Sequence, residues 1–175
     1  MELRQKKESR KTAFTLAEVL VVVVILGIAG AVIIPMISDS TGLQASSAAR
    51  QIVSALLFAQ TASIAHQEQY QVVFDAAAES YEIQDSSGAV IDSPVSPGTD
   101  YRISFPDIPQ MKSVMIDVVD FDGTDRVWFD RLGAPYSGAI DAKTPLGSGK
   151  VTVRAGSSSY TVSVEPVSGR IKVEE

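Results

Sequence analysis

The feature that most constrains this 175-residue chain is one unbroken apolar segment near its N-terminus, Phe14 to Ile37, reading FTLAEVLVVVVILGIAGAVIIPMI. Within it, Val19 to Ile34 contains no charged or strongly polar side chain. A helix crossing a hydrocarbon layer needs about 20 apolar residues, and this segment has that length. Its Val and Ile content would suit a strand in water. Inside lipid, however, the backbone must satisfy its own hydrogen bonds, and a helix does so within one segment. A spanning helix over residues 14–37 is the expectation.

Charge divides the chain at the same place. Before Ala13 stand Arg4, Lys6, Lys7, Arg10 and Lys11 against Glu2 and Glu8, whereas the remainder is acidic and the whole chain carries a formal charge of -6. Basic residues on the N-terminal flank hold residues 1–13 in the cytoplasm and send the rest outward, as a single-pass protein with an extracytoplasmic body. An ordinary secretory signal also starts with a basic region, and Ala29 to Ala31 imitate its cleavage site. The acidic body argues against nucleic acid as a partner, because phosphate contacts need clustered Lys and Arg. With no cysteine there is no disulfide, thiol nucleophile or thiolate metal site.

Residues 38–69 read as an amphipathic continuation of the helix, with Ala48, Ile52, Ala55, Leu56, Ala59, Ala62 and Ile64 on one stripe. Over residues 70–175 the period changes to two. Eight short strands are expected: Tyr70 to Asp75, Tyr81 to Gln84, Tyr101 to Phe105, Val114 to Val119, Val127 to Asp130, Val151 to Arg154, Tyr160 to Val164 and Arg170 to Val173. Ser87-Gly88, Asp122-Gly123, Ala155-Gly156 and Ser168-Gly169 supply turns, which favours hairpins. The expected fold class is α+β: a long hydrophobic N-terminal helix followed by a small antiparallel β-sandwich or sheet head.

Glu18 is the anomaly in the apolar segment. An ionised carboxylate in lipid costs about 2.5 kcal/mol or more at depth, and no Lys, Arg or His lies between Phe14 and Ile37 to offset it. Cleavage after Ala13 would create a charged α-amino group on Phe14, and the amine of one molecule paired with Glu18 of the next would set axial register in a helix bundle. The competing reading is that Glu18 snorkels to the headgroups.

The stretch Ala13-Phe14-Thr15-Leu16-Ala17-Glu18-Val19-Leu20 resembles the processing site of type IV prepilins and type II secretion pseudopilins. The resemblance implies that a prepilin peptidase and methyltransferase of the inner membrane cuts between Ala13 and Phe14 and N-methylates Phe14. It further implies a pilin-like fold, a periplasmic head, and partners among other pilin or pseudopilin subunits. The family usually has Gly where this chain has Ala13. Gly27 and Pro35 fall where such helices carry a weak point, and proline removes a backbone donor. More weakly, Ala48 to Phe74, Val127 to Gly133 and Ser168 to Val173 resemble the minor pseudopilin H and FimT-like group.

Other candidate sites are weaker. Asp120, Asp122 and Asp125, with Asp117, form the densest acidic cluster and are the only metal candidates, though a hairpin turn explains them more simply. His66 is the sole histidine and has no nucleophile motif beside it. Trp128, Phe129 and Tyr136 are expected to pack as core and turn rather than to form a ligand platform. The expectation is a non-enzymatic assembly subunit without cofactor. The alternative is a membrane-tethered ligand-binding module or enzyme with a prepilin-like anchor.

Overall fold

The computed structural model describes residues 15–37 and 41–175, with side chains in the first stretch described as far as Ala29. The chain divides into two compact units, residues 1–39 and 40–175. In the first, α1 (Leu16–Ile37) runs as one 22-residue helix. At 1.5 Å per residue it is about 33 Å long. Its large apolar side chains from Leu16 to Ile28 are all exposed. Among the described residues, no helix is long and apolar enough to cross a membrane.

The second unit opens with α2 (Thr41–His66), whose buried face is Ala45, Ala48, Ala49, Ile52, Ala55, Leu56, Ala59, Ala62 and Ser63. The six alanines and Ser63 of this face let the helix lie close against strands of two sheets, with Ile52 and Leu56 filling the space between. Ile64, expected on the same stripe, is 46% exposed and points away from that face. At the helix end, buried Ser63 donates its hydroxyl to the Ala59 carbonyl at 2.8 Å and accepts the Tyr70 N–H at 3.1 Å. One side chain thus ties the last turn of α2 to the first strand.

Ten strands follow: β1 (Tyr70–Asp75), β2 (Ser80–Gln84), β3 (Arg102–Ser104), β4 (Met115–Phe121), β5 (Arg126–Phe129), β6 (Pro135–Ser137), β7 (Thr144–Pro145), β8 (Gly149–Ala155), β9 (Ser158–Val164) and β10 (Ile171–Glu174). They form a six-stranded sheet of order β3-β2-β1-β5-β6-β7 and a four-stranded sheet of order β10-β9-β8-β4. All of the strand pairings are antiparallel. The head is therefore the expected α+β arrangement, with two strands, β6 and β7, beyond the eight foreseen.

The Asp122-Gly123 turn forms, but it joins different partners from those of a simple hairpin. Phe121 and Thr124 exchange backbone hydrogen bonds of 3.0 and 3.1 Å, and positive φ at Asp122 (54°) and Gly123 (82°) makes this a type I′ turn. Beyond that bridge the chain splays, because β4 pairs with β8 while β5 pairs with β1. The turn carries the chain from one sheet to the other.

Between the sheets lies an apolar core that includes Val72, Phe74, Ile83, Val127, Phe129, Val151, Val153 and Val162. A run of ring contacts crosses it: Phe105 against Tyr81, Tyr81 against Phe74, and Phe74 stacked on Phe121 at 5.7 Å. Phe74 belongs to one sheet and Phe121 to the other. Each fully buried Phe is worth about 1.5–3 kcal/mol relative to exposure, so these rings dominate the cohesion of the sandwich.

Candidate functional site

Of the residues singled out for assembly, Glu18 lies in the first turn of α1. Thr15 precedes the helix and its carbonyl accepts the Val19 N–H at 3.2 Å, which makes Thr15 the N-cap. The Glu18 N–H donates to Thr15 Oγ1 at 3.3 Å. In return, Glu18 Oε2 accepts the Thr15 N–H at 3.3 Å and the Thr15 hydroxyl at 3.4 Å. This is a reciprocal capping box, in which a Thr at the N-cap and a Glu three residues later satisfy each other's orphan groups. Both residues are exposed. Thr15 was not among the candidates, although its signal, Thr-x-x-Glu directly before an apolar run, is legible in the sequence.

The chemistry of that turn is polar but not neutralising. Thr15 offers Glu18 two uncharged donors, which solvate a carboxylate without cancelling its charge. Glu18 is the only ionisable residue of α1.

Ala13 and Phe14, the expected processing pair, lie outside the described residues. Gly27 sits within α1, and a side chain added there would meet nothing within 4 Å. Pro35 also lies within α1, and the helix continues past both positions to Ile37.

The acidic residues of the β4–β5 region point to separate protein partners. Asp122 accepts the Gly147 and Ser148 N–H groups, each at 2.8 Å. Burial raises its carboxyl, but the bonds from Gly147, Ser137 and Ser148 outweigh that effect and hold it below the usual carboxylate value. Asp120 accepts the Gly123 N–H at 2.9 Å and Asp125 pairs with Arg126 at 2.9 Å. Asp117 receives the Arg154 guanidinium, whose hydrogen bond holds its carboxyl low. Among the described residues no three His, Asp or Glu side chains are grouped to hold a metal ion. His66 Nδ1 lies 3.2 Å from the exposed Tyr70 hydroxyl.

Residues 9–34 match the family model described as the prokaryotic N-terminal methylation motif. None of the curated proteins matches the chain. Among solved structures, the minor pseudopilin EpsH from the type 2 secretion system of Vibrio cholerae is similar over 75% of this chain and 96% of its own, at 8% identity and a TM-score of 0.50. A second crystal structure of the same pseudopilin matches at 9% identity with a TM-score of 0.50, covering 75% of this chain and 94% of that one. The type IV minor pilin FimU of Pseudomonas aeruginosa is similar at 12% identity and a TM-score of 0.48, over 74% of this chain and 92% of its own. An N-terminus that carries the methylation motif is thus followed by a head similar in fold to the minor pseudopilin EpsH.

Proposed function

We propose that this chain, a prepilin-type N-terminus joined to a pilin-like α+β head, is an assembly subunit of a pseudopilus or type IV pilus. In this reading the leader 1–13 is removed, Phe14 becomes the methylated terminus, and residues 14–37 are held first in the inner membrane and then in the filament core. The head stands in the periplasm, and the chain itself performs no catalysis. The observation that carries the proposal is the placement of the methylation motif, residues 9–34, across the start of a helix whose one ionisable side chain is Glu18.

Physical chemistry supplies the role of that side chain. Before assembly, two Thr15 donors reach one Glu18 oxygen, Oε2, and leave the charge in place. A neighbouring Phe14 amine supplies the missing positive charge, and it does so at one axial offset only. Moving the helix from lipid to filament exchanges one apolar setting for another, so register depends on that polar pair.

The test is the mass and N-terminal sequence of the protein recovered from native membranes. The expected result is a chain starting at N-methylated Phe14 that co-purifies with other pilin-type subunits. An intact Met1, or a cut near Ala31, would overturn the reading in favour of a tethered or secreted protein.

A further inference from the structure

The six-stranded sheet has an outer face away from the core, and there the register aligns Gln84, Gln71, Trp128, Tyr136 and Pro145 in one row across β2, β1, β5, β6 and β7. Trp128 is 1% exposed yet stands outside the inter-sheet core cluster. Its ring stacks on Tyr136, with centroids 4.3 Å apart and planes inclined by 13°. Its indole Nε1–H, however, is buried without a hydrogen-bond partner. A buried donor left in that state costs about 1–3 kcal/mol, and an acceptor atom that reaches it recovers this.

Trp128 and Tyr136 line a pocket of about 650 Å³ together with Gln67, Arg131, Leu132, Lys143 and Asp130, whose Oδ1 already accepts the Leu132 and Ala134 N–H groups. Arg131 and Lys143 are exposed and, like Arg50, Lys112 and Lys150, enter none of the ion pairs found among the described residues; they are the two of these that line this pocket. Leu132, at the β5–β6 turn, is 85% exposed. On an otherwise acidic chain, the pocket thus combines two uncommitted cations, an unused N–H donor, a stacked aromatic floor and an apolar rim residue.

We propose that this pocket is a docking site for an extended peptide segment of a partner protein that carries a carboxylate next to an apolar side chain. The carboxylate meets Arg131 and Lys143, and once the side chains covering the buried indole N–H part, one of its oxygens accepts from it. The adjoining apolar side chain packs on Tyr136 and Leu132. The side chains of this occupant offer only acceptors and apolar surface, which suits the two cations, the indole donor and Leu132. A neutral or basic segment would leave the indole donor or the two cations unanswered.

Trp128 is the sole tryptophan, so its fluorescence reports on this pocket alone. The detergent-solubilised full chain is titrated with acetyl-Leu-Glu-Leu-Glu-amide, with acetyl-Leu-Gln-Leu-Gln-amide, and with succinate. The expected result is a saturable change in emission with the acidic peptide and a much weaker one with the other two. Replacing both cations (Arg131→Gln with Lys143→Gln) is expected to weaken apparent affinity about fivefold, the size expected for two exposed charge contacts. Because both positions are exposed, the folded state survives this change. Trp128→Phe, followed by calorimetry, is expected to lose affinity while keeping the ring stack. No change in emission, an equal response to the glutamine peptide or succinate, or unaltered affinity in the double variant would each overturn the proposal. The titration reads no filament, so its failure leaves the assembly reading untouched.

Discussion

Gln60 donates its side-chain amide to the carbonyl oxygen of Gly133 at 2.9 Å. The same nitrogen lies 3.3 Å from the Gly169 carbonyl, so one α2 side chain clasps the β5–β6 and β9–β10 connections, one from each sheet. Gly169 has φ of +63°, and a Cβ there would stand 2.4 Å from Gln60 Nε2 and 2.8 Å from the Gly133 oxygen. Gly98 offers a control, with φ of +80° but nothing within 4 Å of its added Cβ. Gly98→Ala is expected to cost about 1 kcal/mol from the left-handed backbone alone. Gly169→Ala is expected to cost about 1–3 kcal/mol more through overpacking, read by chemical denaturation. Equal losses at the two sites would remove the clasp from the account.

A second inter-sheet tie runs from Glu79 to Ile116. Glu79 sits in the β1–β2 turn with φ of 51°, and its carboxylate accepts the backbone N–H of Ile116 on β4, an edge strand of the other sheet. Ile116 is 4% exposed, so water cannot easily replace the lost acceptor. Glu79→Ala is expected to lower unfolding free energy by about 1–3 kcal/mol, the cost of an orphaned buried donor. Glu79→Gln keeps an acceptor oxygen and is expected to lose less. The check is a pair of denaturant midpoints, and identical values for Ala and Gln would count against the tie.

These ties explain which parts of the head were legible in the sequence. Alternation located eight strands because each carries its own two-residue period. It missed Pro135–Ser137 and Thr144–Pro145, which are too short for a period and begin or end in proline. Asp122-Gly123 announced a turn correctly, since local backbone preference decides the type I′ geometry. Which strands then pair is decided by distant partners, β8 for one arm and β1 for the other. At the candidate site, Glu18 stood out as a charge among apolar residues, while Thr15 was passed over because its hydroxyl is unremarkable until the helix start is known. Trp128 looked like core by composition, and only the register shows that it faces the opposite side.

Acid should weaken the β9–β10 connection. Arg170 donates to both Glu165 oxygens at 2.8 Å, Lys172 adds a second cation, and these bonds depress the Glu165 carboxyl to about 2 from 4.5. A folded-state value below the unfolded one gives stabilisation that is fully present above about pH 4.5 and is lost as pH falls through about 2. Arg170→Gln is expected to lower the thermal midpoint at neutral pH slightly and to flatten its decline across that window. Thermal scans from about pH 7 downward test this, and an unchanged acid limb in the variant would contradict it.

Glu18 carries two roles that substitution can separate. Glutamine at this position keeps the reciprocal cap with Thr15, because a Gln side chain also reaches back to the N-cap N–H, but it removes the charge. Alanine removes both, and Thr15→Ala keeps the charge while costing the helix start about 1 kcal/mol. If register depends on a charge pair with the neighbouring Phe14 amine, Glu18→Gln is expected to be nearly as defective in filament assembly as Glu18→Ala, and Thr15→Ala distinctly milder. On the proposed reading all three are expected to be cleaved normally before Phe14, because cleavage must first create the amine that the pairing needs. Leader removal is read by the mass of the N-terminus and assembly by recovery of partner subunits and filaments. Wild-type assembly of Glu18→Gln would assign Glu18 to capping alone, and the charge pair would have to be abandoned.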